Sequence, residues 1–228
     1  VKGFHLSDED LTKFLEIYQA YLKDQKQAFK CSFLTLGNLA RAAAGIPEKD
    51  ALECLNTQLV NLQDEIGLKE HYFNRIAREV DAFAALRFLQ AETYFSMKLQ
   101  SAESDTDPEN KAFVYARASG IPVPDIVDRK YLDFCEKYRA DVLKMMSTEE
   151  NLPARFFQNP STLTSDACRH LGRDYITLQR REAQLMTKYF REIDLTLGTR
   201  FAACFIAFQG HQSAKIRLEA AQKTLNYD

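Results

Sequence analysis

The chain has 228 residues, 46% of them apolar and 27% charged, an ordinary globular composition with enough length to bury a sizeable core. Thirty Lys and Arg against 32 Asp and Glu leave a net charge of −2, which excludes a chain-wide basic surface for nucleic acid or an anionic membrane. Eight glycines and six prolines, falling where helices would end, favour an all-helical chain over a turn-rich sheet.

Ser7 suits an N-cap, with Asp8, Glu9 and Asp10 at the positive end of the helix dipole. Leu11, Phe14, Leu15, Tyr18, Tyr21 and Leu22 then recur every three or four residues, which predicts an amphipathic helix to about Phe29. A short apolar helix is expected from Phe33 to Ala44, stopped by Gly45, with Pro47 opening the next and Asp50 to Leu62 continuing helically. Leu68 to about Glu103 holds no glycine or proline and is predicted as the longest helix. Between Val80 and Leu99 it is apolar around most of its circumference, so it belongs at the centre.

Ser104 to Pro108 predicts a surface loop, followed by a helix to Ala118 and an extended Ile121-Pro122-Val123-Pro124. Asp125 to Met146 is again amphipathic, and a short helix from Ser147 is cut by Pro153 and by Asn159-Pro160. Thr164 or Ser165 caps a long final helical stretch, with Gly172, Gly198 and Gly210 as candidate breaks.

No stretch of 18 apolar residues is present, so no transmembrane helix is expected. Five cysteines without CxxC spacing cannot all pair internally; they read as small buried hydrophobes and favour a reducing compartment. For want of an apolar run of that length the chain is read as soluble, and its start at Val1 leaves the compartment open, cytoplasmic or periplasmic or secreted after removal of a leader.

Two internal matches predict a tandem duplication. Gly3 to Tyr21 aligns without a gap on Gly120 to Tyr138, 117 residues on, with Asp8 on Asp125, Lys13 on Lys130 and Leu15 on Leu132 identical. Arg78 to Phe88 aligns on Arg191 to Phe201 with a shift of 113. The expected fold is therefore all-α: two similar helical halves, 1–119 and 120–228, packed as one compact bundle around two long central helices. In the 113 register Arg87 and Arg200 fall at equivalent places within an otherwise apolar arc, where a guanidinium needs a partner. The expectation is reciprocal pairing across the halves, Arg87 with Asp194 or Glu192 and Arg200 with Asp81 or Glu79. An anion site between the halves is the other use of these six residues.

No catalytic or cofactor signature accompanies this. Glu-x-x-His pairs, HExxH, zinc-spaced Cys/His clusters, GxGxxG, GxxxxGK[ST] and GxSxG are all missing, so no catalytic residue, metal or cofactor is assigned. Leu6-Ser7-Asp8-Glu9-Asp10-Leu11 and Ala84 to Glu92 resemble helices of the Spy/CpxP-like periplasmic proteins, whose helix starts read Leu-Thr-x-x-Gln; Asp10 stands at the glutamine's place. The resemblance implies a cradle of helices that binds unfolded clients or stress-sensor partners without catalysis. A non-enzymatic protein offering a partly apolar groove or surface to a protein partner or client is the expected function. The alternative is a helical carrier or enzyme with an apolar pocket for a lipid or isoprenoid-like ligand.

Overall fold

The computed structural model describes residues 6–42, 47–102, 129–148 and 152–206, together with residue 209. Among the described residues the regular structure is entirely helical. Helix α1 spans Asp8–Ala42, α2 Glu48–Glu79, α3 Ala82–Ala102, α4 Arg129–Thr148, α5 Leu152–Phe156 and α6 Ser165–Leu197. A 3-10 turn, Pro160–Thr162, precedes α6, and residues 199–206 form α7. The surface loop and helix expected between Ser104 and Ala118, and the break at Gly210, lie outside the described residues.

Local chemistry sets the helix ends. Ser7 caps α1, its Oγ accepting from the Asp10 N–H at 3.1 Å, and Thr164 caps α6 by accepting from the Ala167 N–H at 3.2 Å. Asp81 does the same for α3: its Oδ1 accepts from the Ala84 N–H at 2.7 Å. At the far end of α6, Gly198 takes φ 97°, where a side chain would be strained, and its N–H donates to the carbonyls of Ile193 and Asp194.

Four expected boundaries are corrected. Helix α1 continues to Ala42 instead of yielding to a second helix at Phe33. Gly67 and Gly172 lie inside α2 and α6; a single glycine costs only about 1 kcal/mol in a helix of this length, which the packing of the rest outweighs. The uninterrupted helix from Leu68 to Glu103 does not exist. The chain turns at Val80, with φ −120° and ψ −90°, because the Asp81 carboxylate competes for the N–H groups of the next turn and starts a new helix.

Helices α2 and α6 cross antiparallel. Arg180 on α6 holds both carboxylate oxygens of Glu70 on α2, Phe73 lies over Gly172, and Arg169 donates to the Ala77 carbonyl. Residue numbers fall on one helix as they rise on the other. Two cores result. The first joins α1 (Phe14, Ile17, Tyr21), the C-terminal half of α2 (Phe73, Ile76), α3 (Leu86, Phe88) and the N-terminal half of α6 (Leu171, Tyr175). The second joins α4 (Tyr131, Tyr138, Val142), the C-terminal half of α6 (Tyr189, Phe190, Ile193), α7 (Cys204, Phe205) and the N-terminal half of α2 (Leu55, Leu59). Each long helix thus serves both cores, so neither core is confined to 1–119 or to 120–228.

The same contacts recur 117 residues on. Tyr21 meets Tyr72 and Phe88 edge-on at 5.4 and 4.9 Å, and Tyr138 meets Tyr189 and Phe205 edge-on at 5.5 and 5.1 Å. Tyr72 donates to Asp24 at 2.7 Å, and Tyr189 to Asp141 at 2.9 Å. The starts of α2 and α6, Glu48 and Ser165, keep this spacing, as do the turns at Asp81 and Gly198.

Candidate functional site

The residues singled out from the sequence do not gather into one site. Arg87 donates from Nη2 to the Oδ1 of Asn159 at 2.6 Å, a contact from α3 to the turn before the 3-10 segment. Gln90, one turn on, donates to the carbonyls of Phe156 and Gln158. Together they tie α3 to the segment that follows α5, and a neutral amide, not a carboxylate, meets the guanidinium. Asp81 serves as the α3 cap, and Asp194 accepts from the Thr199 hydroxyl at 2.7 Å. Glu79 pairs with Arg75 and Arg78, which hold its carboxyl below the usual range, chiefly through the Arg78 hydrogen bond. Glu192 lies 4.0 Å from Lys188, and Arg200 is exposed near the start of α7. Among the described residues the reciprocal pairs Arg87 with Asp194 or Glu192, and Arg200 with Asp81 or Glu79, do not form. The cause is the register: Arg87 lies a full turn inside α3, whereas Arg200 follows directly on the Gly198 turn.

A polar cluster that the sequence did not flag fills the space between α1, α2 and α3. Glu92 is buried, and its carboxylate accepts from Tyr18 at 3.0 Å, Tyr21 at 2.8 Å and Gln25 at 3.2 Å. Burial first, then the Glu92 charge, pushes the Tyr18 phenol up to about 12 and raises that of Tyr21 further. Beside it Lys69, also buried, pairs with Glu65 at 2.7 Å and lies 3.5 Å from the Ser96 hydroxyl. Every donor and acceptor named here is used inside the cluster, so it braces three helices rather than presenting a reactive group. The signal for it was a glutamate on the apolar side of a helix, three residues from Leu89.

At the positions 117 residues on from Tyr18, Lys69 and Glu92 stand Cys135, Met186 and Gln209. Burial raises the Cys135 thiol and pushes Cys204 up to about 11, so neither is an activated nucleophile. Among the described residues no group of three or more His, Cys, Asp or Glu could hold a metal ion.

The outer surface is more informative. Leu15 and Leu22 on α1, expected in its buried stripe, are 44% and 42% exposed, and Leu132 and Leu143 on α4 are 43% and 49% exposed. Their spacings of seven and eleven residues keep each pair on one helix face. Leu15 and Leu132 occupy matching places, 117 residues apart. On α2 an open groove of about 470 Å³ is walled by Leu52 and Val60 among Lys49, Glu53, Asn56 and Thr57. Among the described residues no helix is long and apolar enough to cross a membrane.

No family model, curated protein or solved structure matches the chain.

Proposed function

We propose that this chain is a non-enzymatic helical interaction protein, of duplicated build, that binds a protein partner or client through the outward faces of its first helix and of the matching helix α4. The single observation that carries this reading is the placing of half-exposed leucines on one face of both outer helices, Leu15 with Leu22 and Leu132 with Leu143. A leucine alone at a surface is commonplace, but two on one face, repeated on the matching helix, form a stripe that water wets poorly. The duplication is supported by the constant spacing of 117 through Tyr21, Asp24, Tyr72 and Phe88 and their counterparts Tyr138, Asp141, Tyr189 and Phe205. The use of the polar cluster as bracing supports a binding role over catalysis.

The test is a native mass spectrum of the protein purified from its own cells, compared with the double variants Leu15→Glu with Leu22→Glu and Leu132→Glu with Leu143→Glu. A bound protein should accompany the parent chain and be lost from a variant whose helical circular dichroism is unchanged. A bare chain in every sample, or a bound small apolar molecule in all three, sinks the reading; the latter belongs to the carrier alternative.

A further inference from the structure

Helices α4 and α7 run side by side in the same direction. Tyr131 meets Phe201 at 5.5 Å and Tyr138 meets Phe205 at 5.1 Å, so residue numbers rise together on the two helices. Between these two rungs lie Cys135 on α4 and Cys204 on α7. Cys204 is buried in the second core, and Cys135, half-buried, packs against the same core. The buried Tyr131 hydroxyl has no well-formed hydrogen bond among the described residues; what it faces are these two thiols. Both thiols address that hydroxyl from adjacent helices, and Cys135 lies near enough to Cys204 to help raise its thiol. At the matching places of the first half are Tyr18 and Arg87, so the pairing belongs to the second half alone.

We propose that Cys135 and Cys204 are a modification site: in the presence of a small disulfide oxidant they close an intrachain disulfide that staples α4 to α7. With oxidised glutathione, the Cys135 thiolate, on the more exposed of the two residues, attacks one sulfur of the oxidant. The glutathione disulfide breaks, one glutathione leaves as thiolate, and a mixed disulfide remains on Cys135. The Cys204 thiolate then attacks the Cys135 sulfur, the mixed disulfide breaks and the second glutathione leaves. The two cysteines lose two electrons, the oxidant gains them, and the two thiol protons end on the two glutathiones. Because burial holds both thiols above their ordinary range, closure is slow at neutral pH and quickens about tenfold per pH unit while the attacking thiol is mostly protonated.

The full chain is held with oxidised glutathione, free thiols are then blocked with iodoacetamide, and the digest is read by mass spectrometry. The expected product is a peptide pair joined through Cys135 and Cys204 and two hydrogens lighter than its parts, with an unfolding midpoint in urea that rises on oxidation and returns on reduction. In Cys204→Ser, Cys135 should instead retain a glutathione, which shows that the oxidant reaches it. A wild-type protein that stops at the mixed disulfide, a Cys135 joined to a different cysteine, or a Cys204→Ser variant that takes up no glutathione at Cys135 each overturns the proposal.

Discussion

Gly172→Ala tests the crossing of the two long helices, because two effects of similar size oppose each other there. In a helix interior alanine is favoured over glycine by about 0.8–1.0 kcal/mol, so local propensity alone predicts stabilisation. A Cβ at residue 172, however, would stand 2.3 and 2.4 Å from two carbons of the Phe73 ring. Carbon atoms at rest keep about 3.5 Å or more, and Phe73 is fully buried, so the ring has nowhere to swing without displacing its neighbours. Forcing a methyl into such a site costs about 1–3 kcal/mol, with the upper part expected where the nearest atoms belong to a rigid ring. The net expectation is a loss of about 1–2 kcal/mol, read as a lower urea midpoint at unchanged slope. Adding Phe73→Leu should relieve the overlap, so the pair should be less damaging together than the sum of the two alone. A Gly172→Ala protein about 1 kcal/mol more stable than the parent would refute the close crossing and with it the antiparallel packing of α2 on α6. At the positions 117 residues away, Leu55 stands for Gly172 and Phe190 for Phe73, and both belong to the second core.

Glu92→Ala should cost about 2–3 kcal/mol in a urea titration, because it leaves the buried Tyr21 and half-buried Tyr18 hydroxyls without their acceptor, whereas Glu92→Gln keeps an acceptor and should cost about 1 kcal/mol. Equal losses from both would remove the bracing role. The protein should also lose stability between pH 10 and about 12: Tyr18 and Tyr189 are held at about 12 in the fold against 10.0 when free, so their neutral forms stabilise the folded state fully below pH 10, and that contribution goes as pH climbs through the window. Tyr18→Phe with Tyr189→Phe should flatten the fall in urea midpoint over the window, and a wild-type midpoint that holds steady there contradicts the burial of these phenols.

Much of the helical framework was legible because its signals are local. Ser7 and Thr164 are side chains that satisfy N–H groups three residues away, so a capping residue before an apolar stripe marks a helix start wherever the rest of the chain goes. Gly198 marked a helix end because its backbone angle is one that other residues avoid. The corner at Val80 was not legible in this way. Its cap, Asp81, sits among residues that all favour helix, and an aspartate inside a helical run reads as readily as a solvated face residue. The exposed leucines were misplaced for a related reason: the stripe from Leu11 to Leu22 is wider than the strip that α2 and α3 cover. The sequence pattern shows which residues could be buried, and only the neighbours decide how many are. The Glu92 cluster depends on three helices meeting, and no spacing within one segment encodes that.

The spacing of the internal matches shows the limit most clearly. Arg78 to Phe88 resembles Arg191 to Phe201 at a shift of 113, while Gly3 to Tyr21 matches Gly120 to Tyr138 at a shift of 117. The difference is four residues, one helical turn, which rotates a helix face by only about 40°. Two amphipathic helices therefore align almost as well one turn out of step, since their apolar stripes still coincide. Contacts do not share that tolerance. A turn moves a side chain about 5.4 Å along the axis, enough to take a ring out of one neighbour's reach and into another's. Tyr72 with Asp24 and Tyr189 with Asp141 keep 117, and so do the turns at Asp81 and Gly198. At a spacing of 117, Arg87 falls on Cys204 and Arg200 on Phe83, so the recurring contacts do not pair the two arginines. Their alignment came from a stripe that repeats every turn, whereas the contacts that recur 117 residues apart rest on tyrosines whose partners lie on other helices.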